Sequence, residues 1–194
     1  MEKKKFNTKA IVGLGLMTAL IVVLQGLALG IRFSVFNITL CLVPIVVGAA
    51  LYGWKSGAWL GFVFGVMVLA TDAGAFLAVN IPGTIVTCIL KGTLAGLCAG
   101  AVYRLISKKN KIAAVITAGV VSPVVNTGVF LLGCVLFFMD TIKEWAAGAG
   151  FESVGTYMVT AFVGLNFVVE LAINLVLSSA IVAIIEYGVK SVKE

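Results

Sequence analysis

The sequence contains no histidine and only 3 prolines, and charged residues make up 11% of it. Without histidine, imidazole acid–base chemistry and His-ligated metal sites are excluded. The 4 cysteines, Cys41, Cys88, Cys98 and Cys134, all fall inside hydrophobic runs with no CxxC spacing, so neither a soft-metal site nor a disulfide framework is supported. No GxxxxGK[ST], GxSxG or HExxH pattern occurs, and no carboxylates cluster as a two-metal site requires. Nucleotide binding, metal-assisted hydrolysis and resident cofactors therefore have no signature.

What is present is apolar. Hydrophobic residues make up 61% of the 194 positions and glycine supplies 22, the composition of a polytopic membrane protein set in a lipid bilayer. The net charge of +6 does not form a nucleic-acid patch. Of the 14 Lys and Arg residues, all but Arg32, Lys91 and Lys143 lie at the two termini or in two interior connections. That is the positive-inside pattern.

The expected fold is an all-α membrane protein with six transmembrane helices and both termini cytoplasmic, forming one domain over 1–194 with spans 8–30, 38–51, 58–71, 84–107, 112–139 and 157–187. Lys3, Lys4 and Lys5 before an apolar stretch resemble a signal peptide. The run from Ala10 to Leu29 is too long for a usual signal core, so an uncleaved first span is preferred. The second span is short for a ~30 Å core and holds Pro44, so it must reach back into Asn37 or be shielded by neighbours. Gly61 and Gly65 give the third span a close-packing face. The connection 72–83 has an apolar centre, 75–79; either it caps a cavity or the flanking helices extend into it. Residues 142–147 are amphipathic enough for a short interfacial helix.

Polar residues inside these spans mark the function. In the last run Asn166, Glu170 and Asn174 recur every four residues and form one stripe on a helix. An acidic side chain near the midplane costs ~2.5 kcal/mol or more, so Glu170 faces either the protein interior or a watery cavity. In the fourth span Thr84, Thr87 and Lys91 share a face, with Lys91 ~10 Å below the outer surface. In the fifth, Pro123 frees a backbone carbonyl beside Asn126 and Thr127. Lys91, Asn126, Asn166 and Glu170 all fall within roughly 10 to 20 Å of the outer side, so three helices can converge on one site. Arg32 and Asn37 from the first outer connection and Asn80 from the second join Thr87, Thr127 and Asn174 as further substrate candidates. Such a pocket suits a small polar, anionic organic molecule. A Glu170–Lys91 ion pair that only fixes helix register remains the alternative.

Six helices without an internal repeat are few for a typical secondary transporter, which favours a small capture protein driven by partners. An ion-coupled carrier or channel with Glu170 carrying a proton is the rival reading. A membrane enzyme using Asp72 and Glu170 is disfavoured, because no second carboxylate or histidine lies near either in helical spacing.

The segment Asn37-Ile38-Thr39-Leu40-Cys41-Leu42-Val43-Pro44-Ile45-Val46-Val47-Gly48, followed by Leu51-Tyr52-Gly53-Trp54-Lys55-Ser56-Gly57 and Gly61-Phe62-Val63-Phe64-Gly65, resembles the second and third helices of substrate-capture (S) components of energy-coupling factor (ECF) transporters. Leu90-Lys91-Gly92-Thr93-Leu94-Ala95-Gly96 and Pro123-Val124-Val125-Asn126-Thr127-Gly128 are similar to later family segments, so the likeness covers nearly the whole chain. The resemblance implies capture of a vitamin or precursor on the outer face of a bacterial plasma membrane, beneath the first and third outer-facing loops. It also implies docking of the first helix, through small residues matching Gly13, Gly15 and Ala19, on a membrane coupling protein with two ATPase subunits, and toppling of the S component to release substrate. ATP hydrolysis is expected in those subunits, not in this chain. The patterns of thiamine, biotin, riboflavin and nickel or cobalt members are absent. Lys91 and Arg32 favour an anionic vitamin such as pantothenate, with folate-like or lipoate-like compounds next.

Overall fold

The computed structural model describes residues 8–28 and 40–191, apart from the side chains of Lys9, Leu165, Asn166 and residues 183–191. The described residues form helices and no strands. In hydrocarbon every backbone amide must be satisfied within the segment, and long apolar runs meet that demand as helices. The helices are α1 (Thr8–Ala28), α2 (Leu42–Tyr52), α3 (Trp54–Thr71), α4 (Gly74–Leu77), α5 (Ile81–Ile106), α6 (Lys111–Phe137), α7 (Met139–Gly148), α8 (Val154–Tyr157) and, after a π-helical stretch Met158–Val163, α9 (Gly164–Ser191). Five stretches among the described residues are long and apolar enough to cross a membrane: α1, α3, α5, α6 and the run Val154–Val182. The apolar α2 is shorter, at 11 residues.

The short α2 is the centre of the bundle. Every residue from Leu42 to Ala49 is buried, and α1, α3, α5, α6 and α9 all pack on it. Protein rather than lipid therefore surrounds it, which relaxes the length requirement that a lipid-facing helix must meet. Pro44 falls in its first turn, where the missing N–H removes no helical bond. Ile21, Leu42, Ile45, Leu60 and Phe64 join α1, α2 and α3 in one apolar core.

The α2–α3 connection is tighter than the expected six-residue turn. Gly53 alone links the helices, at φ 94°, a left-handed conformation that costs glycine little. Helix α3 consequently starts at Trp54. It runs directly against α5, backbone on backbone: a Cβ on Gly61 would overlap the Gly92 carbonyl, and one on Gly57 the Gly96 carbonyl. Small residues on both helices thus permit the close approach that gives membrane helices their packing attraction.

Side-chain caps set two helix starts. Asn80 Oδ1 accepts from the Gly83 amide at 2.9 Å with Pro82 in the first turn of α5, and Asn110 Oδ1 accepts from the Ala113 amide at 3.0 Å at the start of α6. The connection 72–83 is therefore the short helix α4, with α5 beginning at Ile81. The amphipathic segment near 142–147 is α7, whose Ile142 and Ala146 are buried.

Candidate functional site

A cavity of ≈ 220 Å³ lies among α3, α5, α6, the π-helical stretch and α9, toward the end of the bundle where α3 finishes and α5 begins. Its walls mix aromatic rings with polar groups. Phe64 of α3 and Phe130 of α6 flank Lys91 of α5, whose ammonium lies 5.8 Å and 5.2 Å from their ring centroids. Cation–π attraction of this kind holds a lysine in an apolar place without neutralising it.

Three other lining side chains present buried oxygens with no hydrogen-bond partner: Thr87 Oγ1, Asn126 Oδ1 and Glu170 Oε1. Thr87 is 5% exposed, Asn126 7% and Glu170 5%, so bulk solvent does not satisfy them. An unsatisfied buried polar atom costs about 1–3 kcal/mol. Three such atoms line one cavity beside an ammonium that makes no ion pair among the described residues, an arrangement able to accept donors and an anionic group from a small molecule. Lys91 and Glu170 share the cavity yet make no direct ion pair. A pair that only locks helix register would require that contact.

The lid is aromatic. Phe76 of α4 meets Phe130, Phe138 and Trp145 edge-on, with centroids 5.7, 5.0 and 5.5 Å away. Phe162 from the π-helical stretch adds contacts to Phe130 and Tyr157 at 5.7 and 5.5 Å. Wider π-helical turns often occur at functional sites, and here the segment from Thr160 to Gly164 lines the cavity. Gly164, at φ 37°, returns the chain to the α-helical course of α9.

Asp72, at the rim, is held from α1. Gln25, only 3% exposed, donates to Asp72 Oδ2 and, at 3.1 Å, to Thr71 Oγ1, while Cys41 Sγ donates to Gln25 Oε1 at 3.4 Å. One amide thus ties α1, the start of α2 and the end of α3 together.

Of the residues expected at the substrate, the structure brings Thr87, Lys91, Asn126, Thr127 and Glu170 to this cavity. Asn174 lies elsewhere: its Nδ2 donates to the Gly119 carbonyl at 2.8 Å and its Oδ1 accepts from Ser178 at 3.1 Å. Asn80 is occupied capping α5. Arg32 and Asn37 lie outside the described residues, as does the side chain of Asn166. The aromatic lining and Gln25 were missed. A phenylalanine in an apolar helix carries no mark of its role, whereas Gln25 is a polar residue in an apolar run and was a readable signal.

Among the small residues expected to dock a partner, Gly15 and Ala19 are exposed on α1 with Leu16 and Leu20. Gly13 turns inward instead, and a Cβ there would overlap the Tyr52 hydroxyl.

The family model for the ECF transporter substrate-specific component matches residues 9–186. The chain belongs to this family. It is also similar to the pantothenic acid transporter PanT of Lactococcus lactis subsp. cremoris (strain MG1363), at 28% identity over 204 aligned positions that cover 94% of this chain and 95% of the relative. No solved structure matches. As an ECF S component the chain is a multi-pass plasma-membrane protein and a substrate-binding subunit of a transporter rather than an enzyme.

Proposed function

We propose that this S component captures pantothenate, or a vitamin of the same size and charge, in the cavity around Lys91. The observation that carries this reading is the combination of one ammonium with the unpartnered oxygens of Thr87, Asn126 and Glu170 in a single apolar enclosure. A carboxylate would take Lys91 as its charge-assisted partner. Hydroxyl and amide N–H groups would donate to Asn126 and Glu170, and a compact branched alkyl group would lie on Phe64 and Val68.

Size and polarity weigh against the other anionic vitamins. At ≈ 220 Å³ the space falls below the ~300–1,000 Å³ usual for drug-sized ligands, which disfavours a folate-like molecule. A lipoate-like chain has too few donors to satisfy three buried oxygens. The similarity to a relative named a pantothenic acid transporter points the same way. In this reading Glu170 accepts hydrogen bonds from the ligand and carries no transported proton.

Capture takes place with the six-helix domain in its cytoplasmic-termini orientation, the cavity opening outward. Release follows docking of the exposed face of α1, with Gly15 and Ala19, on a coupling protein that carries two ATPases. Purified protein tested against a vitamin panel by thermal shift should respond to pantothenate and not to folate or lipoate. A response to lipoate alone, or equal responses to all three, would overturn the substrate assignment.

A further inference from the structure

At the opposite end of the bundle a second groove of ≈ 370 Å³ is lined by Trp54, Ala101, Arg104, Leu105 and Lys108. We propose that it binds the headgroup of an anionic phospholipid, with the phosphate held between Arg104 and Lys108.

Arg104 lies in the last turn of α5 and Lys108 in the turn that follows its end, and both line the groove. Neither has an ion-pair partner among the described residues. The acidic side chains of Asp72, Asp140, Glu144 and Glu152 follow the far ends of α3 and α6, so they cannot serve this groove. Lys55 adds a third positive charge at its edge, with Nζ 5.6 Å from the Trp54 ring centroid. Arg104 and Lys108 are both exposed, so the groove presents their charge to whatever lies against it.

The shape of the groove names the source. Trp54 begins α3 directly after Gly53, and Gly100 of α5 has no side chain where a Cβ would overlap the Trp54 backbone. The indole is therefore seated at the end of two membrane-crossing helices, the level at which tryptophan meets lipid headgroups. Leu105, 75% exposed, places an apolar surface beside the two cations. A free phosphate would use the cations and leave Leu105 and the indole idle. A phospholipid uses all of them, with phosphate on the cations and glycerol and acyl carbons along Trp54 and Leu105. Basic pockets beside transmembrane helices recognise anionic headgroups in this way.

Native mass spectrometry of protein released from bilayers of phosphatidylcholine and phosphatidylglycerol tests the assignment. One phosphatidylglycerol should be retained in preference to phosphatidylcholine. Arg104→Gln and Lys108→Gln should each weaken that retention about fivefold or more. Lys109→Gln removes the same charge from an exposed position outside the groove and should leave retention unchanged. Equal losses in Lys109→Gln and Arg104→Gln would show a diffuse surface potential and overturn the site. Displacement of the lipid by millimolar inorganic phosphate or glycerol phosphate would show a free-anion site and overturn the lipid assignment.

Discussion

The side-chain amide of Asn174 donates to the backbone carbonyl of Gly119 at 2.8 Å, joining α9 to α6 inside the bundle. Gly119 lies four residues before Pro123, the position whose carbonyl loses its helical partner when proline supplies no N–H. Asn174 replaces that lost bond, and Ser178 in turn donates to Asn174 at 3.1 Å. Breaking it would leave the carbonyl orphaned in an apolar setting. Asn174→Leu should therefore destabilise the protein by about 1–2 kcal/mol, seen as a lower thermal midpoint, with the ligand affinity of the folded fraction little changed. An undiminished midpoint, or a selective loss of affinity, would return Asn174 to the substrate.

Lys91 has a different role. Its ammonium lies over two rings without a direct carboxylate contact, so removing it breaks no ion pair, although buried Glu170 then loses a cation that shares its cavity. Lys91→Ala should weaken binding of an anionic vitamin about 10- to 100-fold, the range of a charge-assisted hydrogen bond. Lys91→Arg, which retains the charge in a bulkier planar form, should recover part of it. Titration calorimetry with pantothenate reads both, and an unchanged affinity in Lys91→Ala would remove the ammonium from the site.

Two glycines of α1 should separate folding from docking. A Cβ at Gly15 meets nothing within 4 Å among the described residues, so Gly15→Leu should bind vitamin normally but fail in uptake once the coupling protein and ATPases are present. A leucine at Gly13 meets the Tyr52 ring, so Gly13→Leu should lower the thermal midpoint of the isolated protein. Overpacking of this kind typically costs about 1–3 kcal/mol. Normal uptake by Gly15→Leu would show that this face of α1 is not the docking surface.

The helical architecture and the polar heart of the cavity were legible because charge and amide groups are rare in apolar runs, so Lys91, Asn126 and Glu170 stand out by type alone. Their partners were less so. Asn174 follows Glu170 at four-residue spacing, but a helix advances roughly 40° beyond a full turn over that interval. That drift carries Glu170 to the cavity and Asn174 to α6. The π-helical stretch Met158–Val163 has no sequence mark, since its wider turns depend on tertiary packing around Phe162. Gly61 and Gly65 were readable as a packing face, while pairing with Gly92 and Cys88 depended on how α3 and α5 meet. The short second span was readable only as a problem, and burial on all sides resolves it.

Capture of a vitamin in the cavity around Lys91 can be read out directly. The most direct measurement is to purify the protein alone from cells grown in vitamin-rich medium, denature it and identify the released small molecules by mass spectrometry. Pantothenate should be released at close to one per protein, and should be lost from Lys91→Ala prepared in parallel. An empty wild-type preparation that also gives no thermal shift with any vitamin would contradict capture there.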